Sequence, residues 1–500
     1  MNNEKSKRAA RLGRWGAGLC LCAFSATSAC SGGDDDSGSP AKSGSSGASG
    51  SSQTTSGTGG SSDTANGGSS DSTMGGSSSG DAGTGGGSGG SSASGGSGGK
   101  GGSGGKGGSS GSSGKSGSSG KGGTSGSGGS SGSSGSAGTG GSTGTAAGSI
   151  GSATDLANAI GRAPNFLVGM GNDLNNDHSK DGAYTLGVTM DLHYAYLVGL
   201  PGQGGWPDWN TGGTFVDILA DSADMAGTTP MYTLYAMAAD GENNMAALSD
   251  SSYMGAYWQG VKLLFQRLGV FDKPALVHLE PDFWAYVQQN SKGDPTGIKV
   301  LIHGLADECA DQPEDLSGLG HCILTLGRMY APKTLIGFHA SAWAGDVPSI
   351  VTFLTAVGAA EADFVVTDML DRDAGCFEAH TDPNCQRNDG PWYWDETNMT
   401  SPNFHDELGW SKQIVDGLGK PMIWWQVPFG VPSDTPGGTA GHYRDNRVHY
   451  IFNHIDEFIE AGGAGVVFGG GAANQTYIDT DGGQFHDAVN AYFANPVALK

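Results

Sequence analysis

Residues 275–286 read Ala-Leu-Val-His-Leu-Glu-Pro-Asp-Phe-Trp-Ala-Tyr, a short apolar run that ends in two acids followed by aromatic residues. The run 275–279 has the length and composition of a strand buried in a parallel sheet, and Pro281 ends it. Glu280 and Asp282 would then lie at the carboxyl edge of the sheet, where barrels and open α/β sheets bind their ligands. The alternative is that both acids are solvated loop residues, or that they cap a helix over 283–289.

The same pattern of an apolar run followed by polar and aromatic residues recurs throughout residues 151–500. Strands are predicted at 166–170, 186–192, 230–236, 275–279, 334–338, 364–366, 421–425 and 463–468, with helices at 215–226, 253–268, 347–359, 411–417 and 443–461. Eight strands that alternate with helices favour a (β/α)₈ barrel over a doubly wound sheet. The length of this region also suits one barrel with long loops.

The ends of the predicted strands carry residues that suit a sugar site. Two acids can act on a glycosidic bond, while flat aromatic faces pack against the C–H side of pyranose rings. A core position is as compatible with the sequence around Trp424 as a sugar contact is, and the histidines fit structural roles equally well. The predicted substrate-binding residues are Asp191, His193, Tyr196, Trp284, His339, Trp424, Trp425 and Gln426.

Leu279-Glu280-Pro281-Asp282 resembles the Glu-Pro-Asp stretch at the end of the fourth strand in the family-six cellulases, which are barrel glycoside hydrolases. The resemblance implies that Asp282 is the general acid and that Glu280 raises its pKa by like-charge repulsion. The stretch 371–373, Asp-Arg-Asp, with nearby Cys376, is similar to another element of that family, but it follows the sixth strand here instead of standing early in the chain.

The end of the seventh strand bears on the mechanism. Retaining barrel hydrolases place a second glutamate there as nucleophile, whereas this chain has Gln426, and an amide cannot form the glycosyl ester. An inverting reaction would use Asp368 as the base that activates water, with Asp191 in reserve. The carboxyl groups of Asp282 and Asp368 would then lie about 6.5–9.5 Å apart.

The first 150 residues have a different composition from the rest. Residues 1–29 have basic residues ahead of a short apolar segment, which is typical of a signal peptide. Ala29-Cys30 resembles a bacterial lipoprotein signal, which implies acylation of Cys30, although Thr27 stands where that signal usually has Leu; simple secretion is the alternative. Residues 30–150 are rich in Gly and Ser and are predicted to form a flexible linker. We therefore expect residues 151–500 to form the barrel domain, exported to the bacterial cell envelope or surface.

Net charge and cysteine content limit which binding partners and which covalent links we expect. The net charge of −24 disfavours binding to nucleic acid or anionic lipid, so the predicted membrane contact is limited to the lipid anchor. Four cysteines in an exported domain predict two disulfides, and we expect pairing within each loop region, Cys309 with Cys322 and Cys376 with Cys385. The acids at 173, 177 and 181 resemble the start of a calcium loop, but His178 replaces the required glycine. No metal or cofactor is therefore assigned.

The sequence thus predicts an exported glycoside hydrolase that acts on a polysaccharide, with Asp282 or Glu280 as general acid. Gln426 motivates an alternative, a non-catalytic surface protein that binds carbohydrate on the same scaffold. A structural surface protein with a vestigial site is a third hypothesis.

Overall fold

Eight parallel strands close into a barrel in which each strand pairs with the next and the last pairs with the first. The structure is a computed structural model that describes residues 150–500 except 172, 370–373, 382–384, 387, 389, 436–438 and 471–474. The strands are β1 Leu167–Gly171, β2 Leu192–Val198, β3 Thr229–Tyr235, β4 Ala275–Leu279, β5 Thr334–His339, β6 Phe364–Asp368, β7 Met422–Val427 and β8 Gly463–Phe468. The predicted (β/α)₈ barrel is confirmed.

Helices surround the barrel and bury their apolar faces against it. They are α1 Ala153–Ala159, α2 Trp206–Trp209, α3 Phe215–Ala226, α4 Ser251–Phe271, α5 Phe283–Asn290, α6 Leu316–Tyr330, α7 Val347–Ala356, α8 Ala374–Ala379, α9 Phe404–Leu418, α10 Arg447–Asn453, α11 Ile455–Glu460 and α12 Gln484–Ala494. Acidic caps begin several of them; the Asp250 carboxylate, for example, accepts a hydrogen bond from the Tyr253 N–H at the start of α4. Within the described residues, no helix combines the length and the apolarity that crossing a membrane requires.

Both predicted disulfides are present. Cys309 pairs with Cys322 at a Cα–Cα distance of 5.4 Å, and Cys376 pairs with Cys385 at 5.5 Å. The first joins the turn before α6 to that helix, and the second lies at α8. Disulfides persist in oxidising compartments, so this pairing suggests an extracellular or otherwise oxidising environment.

The second strand was predicted six residues too early. Gly187 has a left-handed backbone that interrupts the apolar run at 186–192, and β2 begins at Leu192. Two glycines of β1 make room for the side chains of β2, because a Cβ on Gly169 or Gly171 would overlap the side chains of Leu192 and Tyr194. The alternate residues of β2 therefore fill the barrel interior.

This shift moves Asp191 to the wrong end of the barrel for a catalytic base. Asp191 precedes β2, and its carboxylate accepts the N–H of Val168, near the amino end of β1, at 3.0 Å. Burial raises the pKa of Asp191 to about 6. The structure therefore does not bring Asp191, predicted as a substrate contact and reserve base, to the carboxyl end of the strands, where such barrels bind their ligands.

Candidate active site

An aromatic cluster fills the carboxyl end of the barrel, which we call the mouth. Trp425 of β7 lies at its centre, with ring centroids 5.9 Å from Tyr194, 5.5 Å from Tyr196, 4.8 Å from His278 and 6.0 Å from His339. Trp425 is nearly buried, whereas Tyr196 is half-buried. Four strands, β2, β4, β5 and β7, thus deliver rings of both polar and apolar character to one place.

A line of polar side chains crosses the mouth beside Trp425. The Thr233 hydroxyl lies 3.3 Å from His278 Nδ1, and His278 Nε2 lies 3.0 Å from His339 Nδ1. His339 Nε2 then faces Asp368 Oδ1 at 3.7 Å. Burial, with a smaller contribution from His339, holds the pKa of His278 well below its usual range, so His278 is neutral. Asp368 keeps partial exposure at the end of this line, with its side chain 12% exposed.

Glu280 and Asp282 separate at the end of β4, although Pro281 alone lies between them. Glu280 is fully buried with a φ of 43°, and its Oε2 accepts the Met237 N–H at 3.0 Å. Burial raises the pKa of Glu280 to about 8, against the smaller opposing effect of the Met237 hydrogen bond. Glu280 therefore holds the chain that follows β3 and faces no solvent.

Asp282 lies at the centre of a strained turn. The Phe283 N–H bonds to the Pro281 carbonyl at 2.7 Å, which closes a three-residue γ-turn around Asp282 with φ 64° and ψ −35°. This positive-φ form of the γ-turn is rare for any residue other than glycine. It leaves the Asp282 side chain half-buried at the start of α5. Such strain concentrates at functional positions, which makes Asp282 the stronger catalytic candidate of the two acids.

Two of the predicted aromatic contacts lie outside the mouth. Trp284 is buried between the barrel and the helices, with its ring 4.8 Å from Phe338 and its Nε1–H bonded to the Leu279 carbonyl. Trp424 is buried on the same outer layer, with its Nε1–H donated to the Ser411 hydroxyl. Successive residues of a strand point to opposite faces, so Trp425 enters the mouth while Trp424 packs under the helices. The structure therefore does not bring Trp284 and Trp424, which the sequence predicted as substrate contacts, to the mouth.

His193 also points away from the barrel interior. Its Nε2 lies 2.8 Å from Asp173 Oδ1 and its Nδ1 lies 2.7 Å from the Tyr184 hydroxyl, in the connection between β1 and β2. Burial lowers the pKa of His193, but the Asp173 and Asp181 carboxylates together raise it by more, so the net shift of this pKa is upward. His193 therefore stabilises this connection, and the structure does not bring it to the mouth, where the sequence predicted a sugar contact.

The acids that resemble a calcium loop serve the same connection. Asp181 accepts the Asn175 N–H at 2.6 Å, and Asp173 accepts the N–H of Ala183. In the described part of the chain, no group of three or more His, Cys, Asp or Glu side chains is arranged to hold a metal ion.

Gln426 occupies a bulge near the end of β7. Its φ is 54°, the pairing with β8 shifts register between Trp424 and Val427, and its Nε2–H₂ donates to the Gly470 carbonyl at 2.9 Å. The side chain is buried. The amide is thus used as a hydrogen-bond donor across the β7–β8 edge.

Sequence reasoning missed a buried acid behind Asp368. Glu407 of α9 is buried, and both this burial and the Asp368 charge raise its pKa to about 8. Its neighbour Ser411 donates a hydrogen bond to it at 3.4 Å, and Arg447 lies close enough to favour its charged form. The sequence prediction began this helix at residue 411, so Glu407 was not placed on its buried face.

His278 was missed too, although a signal for it was present. It is the one polar residue in the run Ala275–Leu279, and its position alternates with outward-facing neighbours. A polar residue inside a buried strand must find a partner in the barrel interior. Of the other predictions, Cys30 and the stretch 371–373 lie outside the described residues.

Comparisons with known proteins do not identify a family for this chain. No protein-family model matches the chain, and no curated protein matches it. Among solved structures, it is similar to the endoglucanase Cel6 from Mycobacterium tuberculosis, at 14% identity and a TM-score of 0.28, covering 53% of this chain and 73% of that one. A GH26 β-mannanase from Bacteroides ovatus matches at 10% identity and a TM-score of 0.37, covering 66% and 89%. A D-psicose 3-epimerase from Clostridium cellulolyticum matches at 11% identity and a TM-score of 0.35, covering 66% and 99%.

Proposed function

We propose that the chain is an exported glycoside hydrolase that cleaves a polysaccharide with inversion at the anomeric carbon. The observation that carries the proposal is the meeting of an aromatic floor with a partly exposed acid in the barrel mouth. Trp425 contacts Tyr196 and His339, and the His339 ring faces the Asp368 carboxylate. Aromatic faces that bind pyranose rings next to an acid that can accept a proton are what such a reaction needs.

Asp282 is the proposed general acid and Asp368 the proposed base. β4 and β6 flank β5 in the closed sheet, so both residues reach the same rim with His339 between them. An inverting enzyme needs a water molecule between the base and the sugar, which is consistent with acids on alternate strands. Glu280 would act as a positioning residue, since its buried carboxyl group accepts the Met237 N–H and so holds the chain after β3 next to the end of β4.

The proposed cellular location is based on the N-terminal sequence. We propose that residues 1–29 are a signal peptide, that Cys30 is lipidated and that residues 30–150 tether the barrel to the cell envelope. Ile150 joins the barrel at its amino-end face, where the Lys420 ammonium group, just ahead of β7, donates to its carbonyl at 3.0 Å. Ile150 therefore lies at the end of the barrel opposite the mouth.

The test is hydrolysis of β-glucans, mannans and peptidoglycan fragments by the wild type and by Asp282→Asn, Asp368→Asn and a control variant. Asp434→Asn is the control because Asp434 is an exposed acid in the segment that follows β7. Loss of a general acid or base should lower kcat about 10²- to 10⁴-fold, with folding unchanged. Hydrolysis that survives both Asp282→Asn and Asp368→Asn at the control rate would remove these roles.

A second candidate function is carbohydrate binding without turnover. Gln426 favours it, because the end of β7 lacks the carboxylate that retaining barrels use and the amide is already bonded to the Gly470 carbonyl. Calorimetric titration with the same glycans separates the two. Binding by the wild type that Asp368→Asn leaves intact, with no product formed, would favour the binding protein.

A further inference from the structure

The line of polar side chains Thr233–His278–His339 ends at Asp368, and the separation between His339 and Asp368 suggests that a further group lies beside them. His339 Nε2 and Asp368 Oδ1 are 3.7 Å apart, which is longer than a hydrogen bond but short enough for one oxygen atom to bond both. Among the described residues, His339 Nε2 has no hydrogen-bond partner, and the His339 side chain is 1% exposed. A buried ring nitrogen directed at a carboxylate calls for an explanation.

The direction of the hydrogen bonds follows from the chemistry of neutral imidazole. A neutral ring has one N–H and one bare nitrogen, so the bond between His278 Nε2 and His339 Nδ1 can run either way. If His278 Nε2–H donates, its Nδ1 is bare and accepts the Thr233 hydroxyl proton, and His339 carries its own proton on Nε2. If His339 Nδ1–H donates to His278 Nε2 instead, the buried Thr233 hydroxyl cannot donate its proton to His278. The His339 Nε2 is then bare and faces a carboxylate oxygen. The first arrangement matches each donor to an acceptor and removes that repulsion.

We infer that Thr233 and His278 fix the proton of His339 on Nε2, so that His339 Nε2–H and the Asp368 carboxylate together bind one hydroxyl group, as donor and acceptor. The hydroxyl oxygen accepts from His339 while its hydrogen points to Asp368. A water molecule held this way has its lone pair free and its proton directed to a base. This inference rests on the proposed function for the identity of that hydroxyl as the attacking water, and Thr233 and His278 are positioning residues.

The charges around Asp368 agree with its proposed role as the hydrogen-bond acceptor and with that of His339 as the donor. Among the described residues, the titratable groups near Asp368 include His339 of β5 and Glu407 of α9, and Arg447 of α10 interacts with Glu407. Burial raises the pKa of Glu407, so at neutral pH it adds no negative charge beside Asp368. The lowered pKa of His278 likewise keeps a positive charge out of the relay.

The experiment reads the tautomer directly and does not depend on turnover. Full-length protein labelled with ¹⁵N-histidine is studied by long-range ¹H–¹⁵N correlation at pH 7, and the His339 signals are assigned by their loss in His339→Gln. We expect His339 in the neutral Nε2–H form in the wild type and in Thr233→Ser. Thr233→Val should shift it toward the Nδ1–H form or a mixture. Wild-type His339 found as Nδ1–H, or doubly protonated, would overturn the inference.

Kinetics provide the second readout. On a substrate that the wild type hydrolyses, Thr233→Val should lower kcat roughly tenfold, the scale of one lost hydrogen bond, with little change in KM and with a displaced acidic limb of the pH profile. Thr233→Ser should keep both kcat and the acidic limb of the pH profile at their wild-type values. The matched control is Thr334→Val in β5, which removes a buried hydroxyl that has no hydrogen-bond partner among the described residues.

The two proposals fail in different ways. If the Nε2–H form is found but no glycan is hydrolysed, the proposed function fails while the hydroxyl-binding pair stands. If glycans are hydrolysed but Thr233→Val keeps both the tautomer and the pH profile of the wild type, the relay fails while the hydrolase stands.

Discussion

Replacing Glu280 with glutamine should make the barrel more stable at alkaline pH. Glu280 is fully buried, and burial raises its pKa from 4.5 to about 8. Between these values the native state holds a proton that the unfolded chain releases, so stability is highest at low pH and is lost as pH rises through the window from 4.5 to 8. Glutamine can still accept the Met237 N–H but cannot ionise, so Glu280→Gln should remove this dependence.

The size of the effect follows from the same two pKa values. A one-unit shift corresponds to about 1.4 kcal/mol, so the wild type should lose about 3.5 kcal/mol of unfolding free energy between pH 5 and pH 8 through this residue alone. Glu407 has a similar pKa and burial, so it should contribute a comparable slope that Glu280→Gln leaves in place. The variant should therefore keep about half of the loss that the two glutamates cause together.

Urea unfolding followed by tryptophan fluorescence at pH 5, 6, 7 and 8 measures this. Glu280→Gln should match the wild type at pH 5 and exceed it at pH 8, with unchanged m-values. Glu407→Gln should behave alike, and the exposed control Asp434→Asn should follow the wild type throughout. A Glu280→Gln curve parallel to the wild-type curve would refute the reasoning, because it would mean that Glu280 ionises as it does in the unfolded chain.

Three further changes test separate features. Asp282→Gly should be more stable than Asp282→Ala by about 1 kcal/mol in urea unfolding, because glycine accepts the φ of 64° without strain; equal stabilities would show that the turn is relaxed. Replacing Cys309 and Cys322 together by serine should lower the unfolding free energy by about 3 kcal/mol, since the bridge closes a sequence separation of 13, and a change below 1 kcal/mol would contradict this. Gln426→Glu should cost about 1–3 kcal/mol and give no retaining hydrolysis, because a buried carboxylate would replace the donor to the Gly470 carbonyl; a gain of double-displacement products, seen by NMR of the released anomer, would reverse that conclusion.

Strand positions were largely readable from the sequence. The bounds of β4 and β8 agree with the prediction, because both are short, largely apolar runs with a proline or a glycine within two residues of their ends. For β2 the same rule fails, since Leu186–Leu192 is as apolar as many strands and the alternation that marks β2 uses tyrosines. The observed register uses the space over Gly169 and Gly171 for the Leu192 and Tyr194 side chains, a tertiary effect that composition does not show.

The candidate site was less readable, because side-chain direction depends on backbone angles that the sequence hides. Glutamate and aspartate seldom adopt positive φ, yet Glu280 and Asp282 both do, and this sends one into the core and leaves the other at the rim. Burial of Trp284 follows from its place on the inner side of α5, whose existence the sequence offered as an alternative to a loop. The sequence thus located the acids of β4 but could not assign their roles.

The end of β7 decides between mechanisms through local structure as much as through residue identity. Gln426 gives its amide hydrogens to the Gly470 carbonyl from a bulged, positive-φ position, so this point in the barrel is built for a donor. A carboxylate there would face a carbonyl oxygen, and the two would repel in a buried setting. The Gly470 carbonyl across the edge therefore disfavours an ionised carboxylate at position 426. In the proposed hydrolase the second acid would then come from another strand, and Asp368 of β6, partly exposed beside His339, is the residue proposed for it.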